Sequence, residues 1–217
     1  MEAIDALQER LVVSDEELAA IKDRKGESAV ISAGDIIQHL VRNRWRDSFV
    51  LPNYTPANWW ECDVFEVTKA GYWREYEVKV SRADFLADRH KQKQSYSQWN
   101  PDERPGIGET LKTSVLKKYD MLSESSEKGP NLFWYVTPKG LVEIQEIPGW
   151  AGLIELDRHP KHGHLSERVV RKAPKLHSTK CSELVRQHSL SVCYWRMWEW
   201  RRKGLESGRT FEFADGI

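Results

Sequence analysis

Trp60-Glu61-Cys62-Asp63-Val64-Phe65-Glu66-Val67-Thr68, then Lys69-Ala70-Gly71, then Tyr72-Trp73-Arg74-Glu75-Tyr76-Glu77-Val78-Lys79-Val80 is the stretch that decides the fold. Both arms are rich in β-branched and aromatic side chains, which fit a pleated, half-buried surface. The three-residue linker ends on Gly, the residue preferred where a type I turn closes in the left-handed region. The pattern predicts a β-hairpin. With its turn centred on Ala70, residues whose numbers sum to 140 face one another, so Asp63 stands opposite Glu77. Lys79 lies on the same face one pair further along. Phe65, Val67, Trp73 and Glu75 continue that face away from the acids. Cys62, Val64, Tyr76, Val78 and Val80 are expected on the other, as a core layer.

Outward from the hairpin, Ser81-Arg82-Ala83-Asp84 is a capping-box signature and predicts a helix over 82–94. A loop at 95–107 and a helix over 109–124 follow, then strands at 131–137, 141–145 and, after the Pro148-Gly149 break, 151–156. Upstream, Ile36, Ile37, Leu40 and Val41 give a helical stripe from Ser32 or Gly34 to Trp45. A short strand at 49–51 is stopped by Pro52, and 14–24 reads as a capped helix. Residues 158–178, rich in Pro, His and Lys, are expected to form a surface excursion, and 179–203 a last helix. The order implies an α/β (α+β) fold, a small mixed sheet flanked by helices. Three parts are expected: an acidic helical extension at 1–31, a core at 32–157, and a basic His- and Trp-rich extension at 158–217.

Composition sets the limits. The chain has 217 residues, 40% hydrophobic and 30% charged, as soluble globular proteins do. No apolar run is long enough for a spanning helix, and the acidic start, MEAIDALQER, lacks the basic and apolar regions of a signal peptide. Cys62, Cys181 and Cys193 are too few and too scattered for a disulfide framework, so a reducing cytoplasm is expected. The 33 basic and 33 acidic residues exclude a polybasic nucleic-acid coat, yet they are unevenly placed. Residues 1–36 hold nine acids and four bases; 151–217 hold thirteen bases and eight acids; and 79–118 hold nine bases against five acids. The anion-facing surfaces are expected at 79–118 and at the back of the chain.

Two carboxylates directly across a hairpin repel, and burial enlarges the cost. Something positive must sit between Asp63 and Glu77: either Lys79 or a divalent metal. Two carboxylate ligands, waters and a substrate phosphate describe a Mg²⁺ site, to which the carbonyl of Val78 could add. Lys79 could then orient or deprotonate a water, or stabilise charge on a scissile phosphate. The plain alternative is a surface ion pair of Lys79 with either acid.

Asp63 followed by Glu77-Val78-Lys79 and a helix resembles the core of the PD-(D/E)XK nuclease superfamily. EVKVSRADFLADRHK (77–91) and FWYVTPKGLV…PGWAGLIEL (133–156) resemble its MmcB-type DNA-repair and phage-encoded branch, over roughly 32–157. The resemblance implies a restriction-endonuclease-like core that hydrolyses DNA with Mg²⁺ or Mn²⁺. Asp63 and Glu77 would be metal ligands and Lys79 the catalytic lysine. Cys62 stands where the family often has proline. For the acid that the superfamily often adds from the first helix, Asp35 is the best candidate, with Glu27 earlier and Gln38 one turn on, but a helix N-terminal charge accounts for Asp35 better.

Ser81 and Asp84 match the family run, and the capping box accounts for both. Arg82, Lys91, Lys93, Lys112, Lys117 and Lys118 are candidate phosphate contacts. His159, His162 and His164, with His177 and Cys181, do not have the spacing of a structural zinc site, so a polar loop is expected. Trp195, Trp198 and Trp200 would form a core or homodimer face, or else stack on bases. The expected function is a metal-dependent DNA nuclease. The alternatives are a DNA- or partner-binding module of weak or no activity on the same fold, and a phage assembly protein.

Overall fold

Ser32 opens the first helix of the computed structural model, which describes residues 30–96 and 113–206. Its hydroxyl accepts the Asp35 N–H at 3.1 Å while the Asp35 carboxylate accepts the Ser32 N–H at 3.0 Å, so two orphan donors are satisfied reciprocally. Helix α1 then runs over Ala33–Arg44 and buries Ile36 and Leu40, one turn apart on the same face. The proposed helix at 14–24 lies outside the described residues.

Strands β1 (Ser48–Tyr54), β2 (Cys62–Thr68) and β3 (Trp73–Val78) form an antiparallel meander. The β2–β3 ladder pairs Val64 with Tyr76 and Val67 with Trp73, the register read from the sequence, and Gly71 closes the turn at φ +85°. Pro52 does not stop β1: it pairs with Val64 on an edge strand, where a missing N–H is tolerated. β6 (Leu132–Pro138) and β7 (Ala151–Arg158) add parallel to β3, and β8 (Leu165–Arg171) closes the far edge antiparallel. The result is a six-stranded mixed sheet in the order β1-β2-β3-β6-β7-β8, flanked by helices.

The crossover from β3 to β6 differs from the sequence reading. Ser81 does cap a helix, but α2 covers only Arg82–Ala87, with a 3₁₀ turn at Asp88–His90. β4 (Gln92–Tyr96) and β5 (Thr113–Lys117) then pair antiparallel in a separate sheet, and α3 is the single turn-and-a-half Lys118–Ser123. The expected helices at 82–94 and 109–124 are both cut short by this ladder, which satisfies their backbone from a distant segment. Residues 141–145 form no strand: Glu143 and Glu146 cap a 3₁₀ turn instead. The segment 158–178 contains β8, so the sheet continues past the expected core boundary at 157. The chain then returns across the start of β3, where Asn131 Nδ2 donates to the carbonyls of His177 (3.0 Å) and Thr179 (2.7 Å).

Both faces of the sheet are covered over its central strands. Against α1 lie Val64, Tyr76, Val78, Val136, Ile154 and Leu156. The opposite face packs Trp59, Phe65, Trp73, Phe133, Tyr135 and Leu153 against Phe85 of α2 and Leu122 of α3. Cys62 belongs to this second cluster, not to the Val64 side as strict alternation predicts. The continuous ladder ends at Val64–Tyr76, and beyond it the side chain of Asp63, not a strand carbonyl, accepts the Val78 N–H at 2.7 Å. Val80 is more than a third exposed and is no part of a core. The last helix, α4 (Glu183–Glu206), is anchored through Val185 and through Tyr54, whose hydroxyl meets the His188 ring at 2.8 Å. Its later aromatic residues are exposed.

Candidate active site

At the end of the hairpin, the alternation of β3 places Glu75, Glu77 and Lys79 in a row on the face covered by α2 and α3. All three are buried, at 0%, 2% and 3% exposure. Isolated charges there would be prohibitive, and the crossover supplies their partners. Lys118, the first residue of α3, has its Nζ 2.7 Å from Glu75 Oε1 and 2.7 Å from Glu77 Oε2. Trp59 Nε1 donates to the other Glu75 oxygen at 2.7 Å. Lys79 Nζ lies 2.9 Å from Glu77 Oε1 and 3.1 Å from Oδ1 of Asp88, and 3.5 Å from Asp84. Lys91 Nζ sits on the same two oxygens, in contact with Glu77 Oε1 and 2.8 Å from Asp88 Oδ1. Tyr135 donates its hydroxyl to Asp88 Oδ2 at 2.8 Å.

The protonation states follow. Burial pushes the Glu77 carboxyl up, but the ammoniums of Lys118, Lys91 and Lys79 outweigh it and hold the group well below the usual carboxylate range. Burial pushes Lys79 down, yet Glu77 and Asp88 raise it overall, so it is a firmly protonated ammonium. Asp63 feels Lys79 and Lys91 too weakly to offset its surroundings. Burial, then the charge of Glu77, lifts its carboxyl to about 6, against the stabilising Val78 N–H. Among the described residues its second oxygen has no hydrogen-bond partner.

Could these residues hold a divalent cation? Among the described residues no three His, Cys, Asp or Glu side chains form a ready cage. The charge balance nevertheless fits one. Asp63, Glu75, Glu77, Asp84 and Asp88 against Lys79, Lys91 and Lys118 leave three minus five, a formal −2. The donors are hard carboxylate oxygens, as Mg²⁺ and Mn²⁺ require. Val78 meets Asp63 through its N–H.

The remaining sequence-predicted residues fall in different places. Asp35 caps α1 and pairs with Arg158 at 3.1 Å, away from this cluster. Ser81 accepts the Asp84 N–H, and Arg82 is held by both oxygens of Glu146 at 2.6 and 2.8 Å. Lys118 and Lys91 turn inward to the acids, not outward to a phosphate, because Glu75, Glu77 and Asp88 must be neutralised. Lys93 donates to the Trp59 carbonyl at 2.9 Å, Lys117 is exposed, and Lys112 lies outside the described residues. His159, His162 and His164 stack at the β7–β8 turn, their ring centroids 4.8 to 6.0 Å apart and their planes within 30° of parallel, and among the described residues they form no metal-holding group. His177 is at the opposite end of the sheet on the Gly129 carbonyl. Sequence reasoning missed Asp88, Tyr135 and the part played by Glu75. Only Glu75 carried a usable signal, its two-residue spacing from Glu77.

No protein-family model and no curated protein matches the chain. A solved structure of a protein of unknown function from Silicibacter pomeroyi is similar over 81% of this chain and 92% of its own, at 17% identity and a TM-score of 0.45. Among the described residues no helix is long and apolar enough to cross a membrane.

Proposed function

We propose that this chain is a Mg²⁺- or Mn²⁺-dependent DNA nuclease of the PD-(D/E)XK kind, with Asp63 and Glu77 as metal ligands and Lys79 as the lysine of the site. One observation carries the reading: the hairpin brings Asp63 to the Glu77–Val78 edge within a cluster left at −2. A bound divalent cation would polarise the scissile phosphate and lower the pKa of a bound water. Asp63, whose second oxygen has no hydrogen-bond partner among the described residues, and Glu77 are the groups to hold it. Lys79, locked as an ammonium by Glu77 and Asp88, acts as fixed positive charge facing the developing phosphorane and not as a proton acceptor. The burial that excludes water strengthens this interaction.

A second reading also has an observation behind it. Glu77 already has three ammoniums on its two oxygens, which suits a DNA- or partner-binding module that does not hydrolyse. Incubating the full chain with supercoiled and linear DNA in Mg²⁺, Mn²⁺ or EDTA separates the two. The nuclease reading expects metal-dependent nicking that Asp63→Ala and Lys79→Ala abolish. Nicking undiminished in both variants overturns the site, and DNA retention in EDTA with no nicking in either metal supports the second reading.

A further inference from the structure

Lys79 and Lys91 place two ammoniums on one pair of oxygens, Glu77 Oε1 and Asp88 Oδ1. Like charges so close repel, so one of the two is held less firmly. Their surroundings say which. Lys79 is 3% exposed and enclosed beneath α2, whereas the Lys91 side chain is 36% exposed. The Lys91 backbone is pinned independently of its ammonium: its N–H donates to the Asp88 carbonyl at 3.2 Å, and its own carbonyl accepts the Lys118 N–H at 3.2 Å. The side chain can therefore leave for solvent by rotamer change alone, with the two backbone bonds kept. Lys118 has no such route, being buried between Glu75 and Glu77.

We infer that Lys91 is a removable plug: its ammonium occupies the cation position between Glu77 and Asp88, and a divalent cation enters by displacing it into solvent. Asp88 thereby becomes a cation ligand alongside Glu77, oriented for that role by the Tyr135 hydroxyl on its other oxygen. This rests on the metal-site reading above. Once expelled, the same ammonium stands at the mouth of the site as a positive charge for an incoming phosphate. Without a phosphate to receive it, the ammonium competes with the cation for the two carboxylates and weakens its binding, so cation and anionic substrate bind cooperatively.

The test is Mn²⁺ binding to the full chain without DNA, followed by the electron spin resonance of free Mn²⁺. Lys91→Met keeps the length and the backbone bonds and removes the charge; Lys91→Arg keeps the charge and controls for folding, as does circular dichroism. The plug predicts affinity at least about tenfold tighter in Lys91→Met than in the wild type, with Lys91→Arg near wild type. A wild type that binds Mn²⁺ as tightly as Lys91→Met, or more so, overturns the plug and leaves the metal site standing. If neither protein binds at millimolar Mn²⁺, the metal-site reading falls and takes the plug with it.

Discussion

Lys118 Nζ stands 2.7 Å from Glu77 Oε2, with 2% of each side chain exposed to solvent. A pair so buried offers little net stability over an apolar pair of the same shape, but breaking it from one side strands a charge. Here Glu75, also dependent on Lys118, would be stranded as well. Lys118→Met is expected to cost about 3–5 kcal/mol in urea unfolding. Adding Glu75→Gln to that variant should recover part of the loss, because the two residues share one interaction.

Asp63 sets a pH dependence of definite sign. Its folded-state value of about 6 lies above the ordinary aspartate value of about 3.9. The folded protein thus binds this proton more tightly than the unfolded chain, and ionising Asp63 costs stability above pH 6. That cost fades as pH falls from about 6 to 4. In EDTA, Asp63→Asn should be more stable than wild type by on the order of 2 kcal/mol at neutral pH, its amide oxygen still accepting the Val78 N–H. The advantage should vanish near pH 4. Metal-dependent cleavage should rise through pH 6 as the ligand ionises.

The hairpin was legible because its evidence is local: alternation along two arms, a glycine-ended turn, and a register set by counting. What meets the hairpin was not. Lys118 reads from sequence as one more surface base on an apolar-striped helix, since Leu116, Tyr119 and Leu122 keep helical spacing. Only the pairing of Thr113–Lys117 with Gln92–Tyr96 turns the start of that stripe into a strand and points Lys118 inward. Asp88 likewise looked like a helical surface acid. Alternation alone puts Cys62 on the wrong face, because a side-chain-to-backbone bond to Asp63 interrupts the ladder, which no residue pattern announces.

Gly152 in β7 leaves no room for a side chain. A Cβ there would meet the Trp134 ring at 2.4 Å and the Ala173 backbone nitrogen at 2.6 Å. Of the two, only the ring is a side chain that rotation can move; the other is the backbone of the returning segment. Gly152→Ala is expected to lose roughly 1–3 kcal/mol by overpacking, measured as a lower unfolding midpoint, with amide exchange accelerating in β8.

The exposed end of α4 should be thermodynamically silent. Trp195 is 67% exposed and Trp198 46%. Replacing both by Ser is expected to leave the unfolding free energy within about 0.5 kcal/mol of wild type, whereas Val185→Ala, at the anchored end, should lower it clearly. If those tryptophans instead pair two copies of the chain, light scattering on the double variant will show a smaller particle than the wild type.

β3 has two neighbours of opposite character. It pairs antiparallel with β2 across a four-residue connection, and parallel with β6 only after the chain has travelled from Val78 to Leu132. Folding therefore meets two very different loop-closure costs on the same strand. The hairpin can form early, carrying Glu75 and Glu77 on one face before Lys118 and Lys91 have arrived. Up to that moment the nascent hairpin is an acidic, mutually repelling edge. Refolding should accelerate with added monovalent salt in stopped-flow fluorescence, while unfolding, which starts from acids already paired with lysines, should hardly respond.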